Sequence, residues 1–325
     1  KNHQFIVGDS YKGNIKIILL RSKSYLISKL AHPKIEDYDL VYHVFLNCYK
    51  KFCKNFDFPQ HKQLIHLYPG GGFSSAADLV NVSMDVKLIS TNPVTSDFCI
   101  QAGLDIALEC FGGTFYSPSL SASLVDAVKA KRETPFGVVF STLGKAHEKG
   151  DETYFKLIKY VQSTYADLPI QFFYIGRDCK NFASLDCNFI HIRPMAWRKL
   201  LDFYAKNIHM YFSFDSGFSF NGWPLGIEAL MTGAALLTTD PRNCGPRLNY
   251  PNNFVRIISS DDVHLVATEL VRVYREVKSG RLKSLDISNW CSREFSFKNQ
   301  QEKIFKLIEN SFISSVSADK QFCSS

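Results

Sequence analysis

The sequence predicts an α/β chain built from two parallel-sheet units in tandem. Three observations carry that reading. The length is 325 residues, which at roughly 150 residues per domain suggests two domains. The composition is 46% hydrophobic against 21% charged, enough apolar side chain for two cores and contrary to disorder, collagen or coiled coil. Finally, short runs rich in Val, Ile, Phe and Tyr alternate with longer amphipathic stretches, as strands and crossover helices do, and they do so twice.

In the first half the expected strands are Asn14 to Leu20, Leu40 to Phe45, Gln63 to Tyr68, Val86 to Ser90 and Ile106 to Cys110, joined by helix-like or loop segments. In the second half they are Pro135 to Ser141, Ile170 to Ile175, Asn188 to Ile192, His209 to Phe214, Ala234 to Thr239 and Phe254 to Ile258. Between the latter lie helices at Asp151 to Tyr165, Arg198 to Lys206, Leu225 to Thr232 and Asp261 to Ser279, with the pair Asp261 and Asp262 read as an N-cap. The polar stretch between 118 and 135 places the division, giving domains 1–130 and 131–312. Apolar residues at 304, 305, 308 and 312 predict a last helix within Asn299 to Phe312, followed by a frayed tail over 313–325. No apolar run approaches the roughly 18–20 residues of a membrane-spanning helix.

Nine cysteines, odd in number and without a C-x-x-C, indicate neither a disulfide framework nor a zinc ribbon, and a reducing cytosol is the simplest location. The chain opens with Lys1 and shows no signal-peptide pattern, so a further domain or subunit upstream is expected. The net charge is +7, and residues 1–62 hold eleven Lys or Arg against five Asp or Glu, so +6 of it is N-terminal. That asymmetry suits an anionic partner, with a peripheral contact to an anionic membrane surface preferred and a solvated lysine-rich surface as the alternative. Nucleic acid is not expected, because the basic residues are not interleaved with a recognition motif.

The most informative stretch is residues 214–240, FDSGFSFNGWPLGIEALMTGAALLTTD, which reads as loop, short helix, Gly turn and strand. Pro224 suits a first helical turn, and the helix behind Gly222, Trp223, Pro224 and Leu225 is expected to aim backbone N–H groups at phosphates. Glu228, one turn in, is placed to accept hydrogen bonds from two vicinal ribose hydroxyls. On these residues the chain resembles the retaining glycosyltransferases of family four, whose GT-B architecture has two Rossmann-like domains facing a cleft. GWPLGIEALMTGAALLTTD is similar to the second half of that family's donor-binding signature, and Glu228 stands where its ribose-binding glutamate does. The family's first glutamate falls on Phe220, so Asp215 and Asn221 are the candidates for donor-sugar contacts. TPFGVVFSTLGKAHEKG, residues 134–150, resembles the first strand and loop of the donor domain. Lys149, with Lys145 second, stands where a basic residue neutralises the diphosphate. The arginine usual after that strand is absent, Thr142 standing nearby. FFYIGRD, Arg193 with Pro194, and YAKNIHMYFSF follow in family order, and the resemblance spans about 135–312.

The first half resembles the later strands of an acceptor domain that is short. Within it His43 and His66 lie at strands expected to face the cleft, and His66 is the candidate near the sugar, a structural histidine being the alternative. Gly70-Gly71-Gly72 suits a close backbone approach or a plain tight turn. Arg193 is a candidate for base or phosphate, and Trp223 and Phe218 for stacking or core. No H-E-x-x-H or D-x-D motif is present, so no metal and no cofactor beyond the nucleotide-sugar donor is expected. The resemblance implies sugar transfer, with retention, to a hydroxyl of a glycan or lipid-linked acceptor, plausibly a bacterial surface polysaccharide, at the inner face of the membrane. A noncatalytic module of the same architecture, binding a glycan or partner subunit, is the alternative.

Overall fold

The computed structural model describes residues 17–20, 39–67, 75–110, 122–141, 150–176, 187–213, 225–239, 250–258, 262–295 and 297–310. The chain forms two compact units, Lys1–Phe115 together with Lys298–Ser325, and Tyr116–Phe297.

The first unit carries β1 (Ile17–Leu20), β2 (Leu40–His43), helix α1 (Leu46–Cys53), β3 (Gln63–Leu67), β4 (Lys87–Ser90), α2 (Pro93–Gln101) and β5 (Ile106–Glu109). Local chemistry starts α2 sharply: Asn92 is the N-cap, its side chain accepting from the Thr95 N–H at 2.8 Å, with Pro93 in the first turn. All five strands are parallel and stand in the order β1-β2-β3-β4-β5. Strands that step in one direction, joined by right-handed crossovers, put every connection on the same face. That face packs Ile65, Leu67 and Leu88 against Leu46 and Tyr49 of α1 and Cys99 of α2. The opposite face presents Leu40, Leu64, Ile89 and Cys110, which no described crossover helix covers. The C-terminal helix, Phe297–Ile308, covers it, inserting Ile304 and Ile308 among those four residues.

This return corrects the expected division. Residues 298–310 belong with the first unit although the sequence assigns them to the second domain, and the helix Ala122–Ala130 belongs to the second unit although it falls within 1–130. The apolar stripe at 304 and 308 is legible in the sequence, but its partner is on strands more than two hundred residues earlier. The tail 313–325 lies outside the described residues.

The second unit runs α3 (Ala122–Ala130), β6 (Phe136–Ser141), α4 (Asp151–Thr164), β7 (Ile170–Ile175), β8 (Ile190–Ile192), α5 (Trp197–Asn207), β9 (Met210–Ser213), α6 (Leu225–Met231), β10 (Ala235–Thr239), β11 (Val255–Ile258), α7 (Val263–Lys278) and α8 (Ser284–Phe295). Its parallel sheet has the order β11-β10-β9-β6-β7-β8, so the strand order reverses between β6 and β9. Reversal sends crossovers to both faces: α4 packs with α7, while α3, α5, α6 and α8 pack together. The N-cap reading holds for Asp262, whose carboxylate accepts from the His264 N–H at 2.7 Å; Asp261 lies outside the described residues. Helix α8 is not legible in the sequence, because its buried stripe of Ile287, Ser288, Cys291 and Phe295 mixes polar and apolar side chains.

Two glycines and one lysine fix how the helices meet this sheet. A Cβ on Gly137 of β6 would lie 1.9 Å from the carbonyl oxygen of Asn207 at the end of α5. Gly233, at φ +76°, ends α6, and a Cβ there would lie 2.4 Å from the Ser284 carbonyl of α8. Lys131 is fully buried and donates to the carbonyls of Ile208 (2.7 Å) and Thr232 (2.5 Å), at the C-terminal ends of α5 and α6, where the helix dipoles favour a cation. Burial pushes its ammonium well below the ordinary lysine value.

Ile304→Ala is expected to cost the first unit about 2–5 kcal/mol, the usual loss for a buried isoleucine. Hydrogen exchange checks it: protection should fall at β2–β4 amides and stay unchanged at β6–β10 amides.

Candidate functional site

In an open parallel sheet the strand-order reversal leaves a crevice beyond the C-terminal strand ends, the usual place for a ligand. Here those ends are Ser141 of β6 and Ser213 of β9. The segments that follow them, 142–149 and 214–224, lie outside the described residues, and with them Lys145, Lys149, Asp215, Phe218, Asn221, Gly222, Trp223 and Pro224. Leu225 opens α6. The three glycines 70–72 also lie outside.

The described part of the site centres on Glu228. Its side chain, on α6, is only 3% exposed. Oε1 accepts a hydrogen bond from Trp197 Nε1 at 2.8 Å, Trp197 being the first residue of α5. Oε2 is buried and has no hydrogen-bond partner among the described residues. Burial pushes the carboxyl up to about 7, and the indole hydrogen bond pulls against it. Two phenols belong to the same cluster. Tyr211 of β9 has its hydroxyl 3.1 Å from Ser141 Oγ, and Tyr204 of α5 packs edge-on against the Tyr211 ring, centroids 6.2 Å apart. Burial above all, with Glu228 adding to it, pushes both phenols up, so they remain protonated across the neutral range.

A buried carboxylate oxygen without a donor is costly, and native structures seldom keep one except where a ligand, ion or water completes it. Glu228 Oε2 is therefore the candidate acceptor of this site, open to a donor from beyond the described residues. The helical spacing of Trp197, Leu201 and Tyr204 put these residues on one buried or half-buried face of α5, and it was the available signal for them. Starting that helix at Arg198 hides it.

The other candidates are placed differently. Arg193 is exposed in the segment between β8 and α5. His66 does not face an open edge: it is fully buried in β3, its Nδ1 2.7 Å from the Tyr42 hydroxyl, with the rings stacked. Burial lowers it to about 3 against a backbone hydrogen bond at Cys110, so the imidazole stays neutral and packs as a structural group. His43 is buried on the other face of the same sheet, its Nε2 2.9 Å from Gln63 Oε1 and its ring against Tyr49 and Phe52. Burial lowers it to about 4. Both histidines differ from the expectation for one reason, that a strand of a parallel sheet is covered on both faces. Among the described residues no three His, Cys, Asp or Glu side chains converge as a metal site, and no helix is long and apolar enough to cross a membrane. The six described cysteines are free thiols.

Two parallel α/β units, the second with its strand order reversed beside a buried acceptor, define the GT-B fold. Solved structures share it across most of their length. Sucrose-phosphate synthase from Thermosynechococcus elongatus superposes with a TM-score of 0.61 at 13% identity, covering 88% of this chain and 77% of that one. HepE of Anabaena, in complex with UDP-glucose, gives 0.54 at 13% identity over 84% and 79%. A UDP-forming α,α-trehalose-phosphate synthase from Burkholderia vietnamiensis gives 0.56 at 11% identity over 82% and 74%. No family model and no curated protein matches the chain.

The Glu228 carboxyl yields a pH-dependent prediction. Its folded value, about 7, lies above the ordinary 4.5, so between these two the folded protein holds a proton the unfolded chain has lost. Stability therefore falls as pH rises through that window. Glu228→Gln removes the effect and is expected to be more stable than wild type by about 2–3 kcal/mol at pH 8, with the gap closed near pH 4. Urea unfolding read by tryptophan fluorescence checks it, since all three tryptophans, 197, 223 and 290, belong to the second unit.

Proposed function

We propose that this chain is a glycosyltransferase of the GT-B fold that takes a nucleoside diphosphate sugar in its second unit and passes the sugar to a hydroxyl. The observation that carries the reading is the unpartnered, buried Oε2 of Glu228 beside the β6/β9 reversal. The two vicinal hydroxyls of a ribose supply the missing donors, and a carboxylate is the acceptor suited to them. The fold's likeness to structures holding UDP-glucose and UDP supports a nucleotide ligand.

In this reading Lys149 and Lys145, in the loop after β6, take up the charge that develops on the departing diphosphate. Asp215 and Asn221, in the loop after β9, contact the donor sugar in place of the glutamate that Phe220 replaces, and Arg193 at the β8 edge reaches base or phosphate. Gly222, Trp223 and Pro224, with Leu225 at the head of α6, close on the donor. Transfer proceeds with retention and without a metal, as in the family-four enzymes the sequence resembles. The acceptor is a hydroxyl of a glycan or lipid-linked glycan, and the basic residues within 1–62 hold the enzyme against an anionic membrane face.

Calorimetry with UDP, GDP, dTDP, ADP and their sugars, wild type against Glu228→Ala, tests the reading, with donor hydrolysis followed in the same samples. Selective binding of one base is expected, weakened about 10- to 100-fold in the variant, as loss of a hydrogen bond to a charged group implies. Binding of none by the wild type overturns it in favour of a noncatalytic glycan- or subunit-binding module.

A further inference from the structure

Glu228 sits on a helix of only seven residues, and the last torsion of a glutamate is broad, so its own backbone does not decide which oxygen faces which way. The decision is made by α5. Trp197 Nε1 lies 2.8 Å from Oε1, and an indole N–H is donor-only. Oε1 must therefore be an acceptor in both protonation states. The carbonyl oxygen of a neutral carboxyl is its better acceptor, so the indole favours the proton on Oε2; when the carboxyl is ionised, Oε2 is the oxygen left without a donor among the described residues.

We propose that Trp197 is the positioning residue of this site: its indole holds Oε1, favours the carboxyl proton on Oε2, and so makes Oε2 the atom that takes a ligand hydroxyl. The proton that occupied Oε2 leaves to solvent as the hydroxyl's own O–H turns to the carboxylate. That the hydroxyl belongs to a vicinal diol of a ribose rests on the nucleotide-sugar reading above. The role of the indole does not.

Among the described residues, the groups facing Glu228 leave the carboxyl as the one that titrates at this atom. Tyr204 comes from α5 and Tyr211 from β9, both held protonated by burial. Cys291, from α8, reaches the Ile227 carbonyl at 3.6 Å, and burial raises its thiol well above the ordinary value. Lys131 lies beyond the far end of α6, bound to the Thr232 carbonyl rather than to Glu228.

The first test uses the ligand-free wild-type protein. The indole proton resonance of Trp197, assigned with Trp197→Phe, is expected to shift with pH with a midpoint near 7 and to be flat in Glu228→Gln. A resonance that does not titrate in the wild type overturns the proposal without recourse to a variant that has to fold. In Trp197→Phe, the Glu228 carboxyl carbon is expected to titrate about one pH unit higher than in wild type, because the hydrogen bond favouring the ionised form is gone. An unmoved midpoint in a folded variant also overturns it. The second test is nucleotide binding at pH 6.5 in two buffers of different ionisation enthalpy: wild type releases a proton on binding UDP or the base it selects, and Glu228→Gln does not. Binding without proton release contradicts the proposal, whereas absence of all nucleotide binding overturns the functional reading and leaves the indole titration to decide the role of Trp197.

Discussion

A parallel sheet has to be covered on both faces, because crossover-joined strands carry apolar side chains on either side. The two units meet this constraint in different ways, and most else follows from how they do it. The second reverses its strand order, so its own crossovers lie on both faces. The first steps in one direction only, so one face is left to the C-terminal helix, which brings Ile304 and Ile308 back to Leu40, Leu64 and Ile89. The same requirement removes His43 and His66 from solvent, one under each face, and makes them neutral packing groups.

The reversal that covers the second sheet also opens it. Between β6 and β9 the crossovers part, and the helix that follows β9 carries Glu228 into that place. A carboxyl so deeply buried is held up near neutrality by desolvation, with one indole hydrogen bond opposing it. The arrangement costs stability when the group ionises, and it leaves one oxygen unsatisfied. Three other buried polar side chains of the unit find partners within it: Lys131 in two helix-end carbonyls, Tyr154 in the carbonyls of Val138 and Phe173, and Arg256 in ion pairs with Glu276 and Glu269. Glu228 Oε2 is left without a partner among the described residues, and in the proposed reading a ligand hydroxyl completes it.

Strands were legible because parallel, doubly buried strands read as short runs of Val, Ile, Phe and Tyr. Ile170–Ile175 lies where the sequence places it, and the others differ at their ends by a residue or two, except that the first, expected from Asn14, is described only from Ile17. Helices were legible where one face alone is apolar, as in Asp151–Thr164 and Val263–Lys278. They were lost where the buried stripe contains serine and cysteine, as in Ser284–Phe295, or where the boundary was set one residue late, as at Trp197. The domain division failed at both ends because a polar stretch marks a surface segment, not which unit a helix packs against.

The sequence by itself determined the two α/β units and the run of strands, and it pointed to Glu228, because periodicity, turn residues and a spaced motif are local properties of the chain. Only the tertiary structure decided that the last helix belongs to the first unit, and that His66 is sealed inside a sheet. It alone gave Glu228 an indole for a partner. That hydrogen bond joins residues 31 positions apart on two different helices. Burial and partner choice depend on what the fold brings into contact, and no local pattern encodes that.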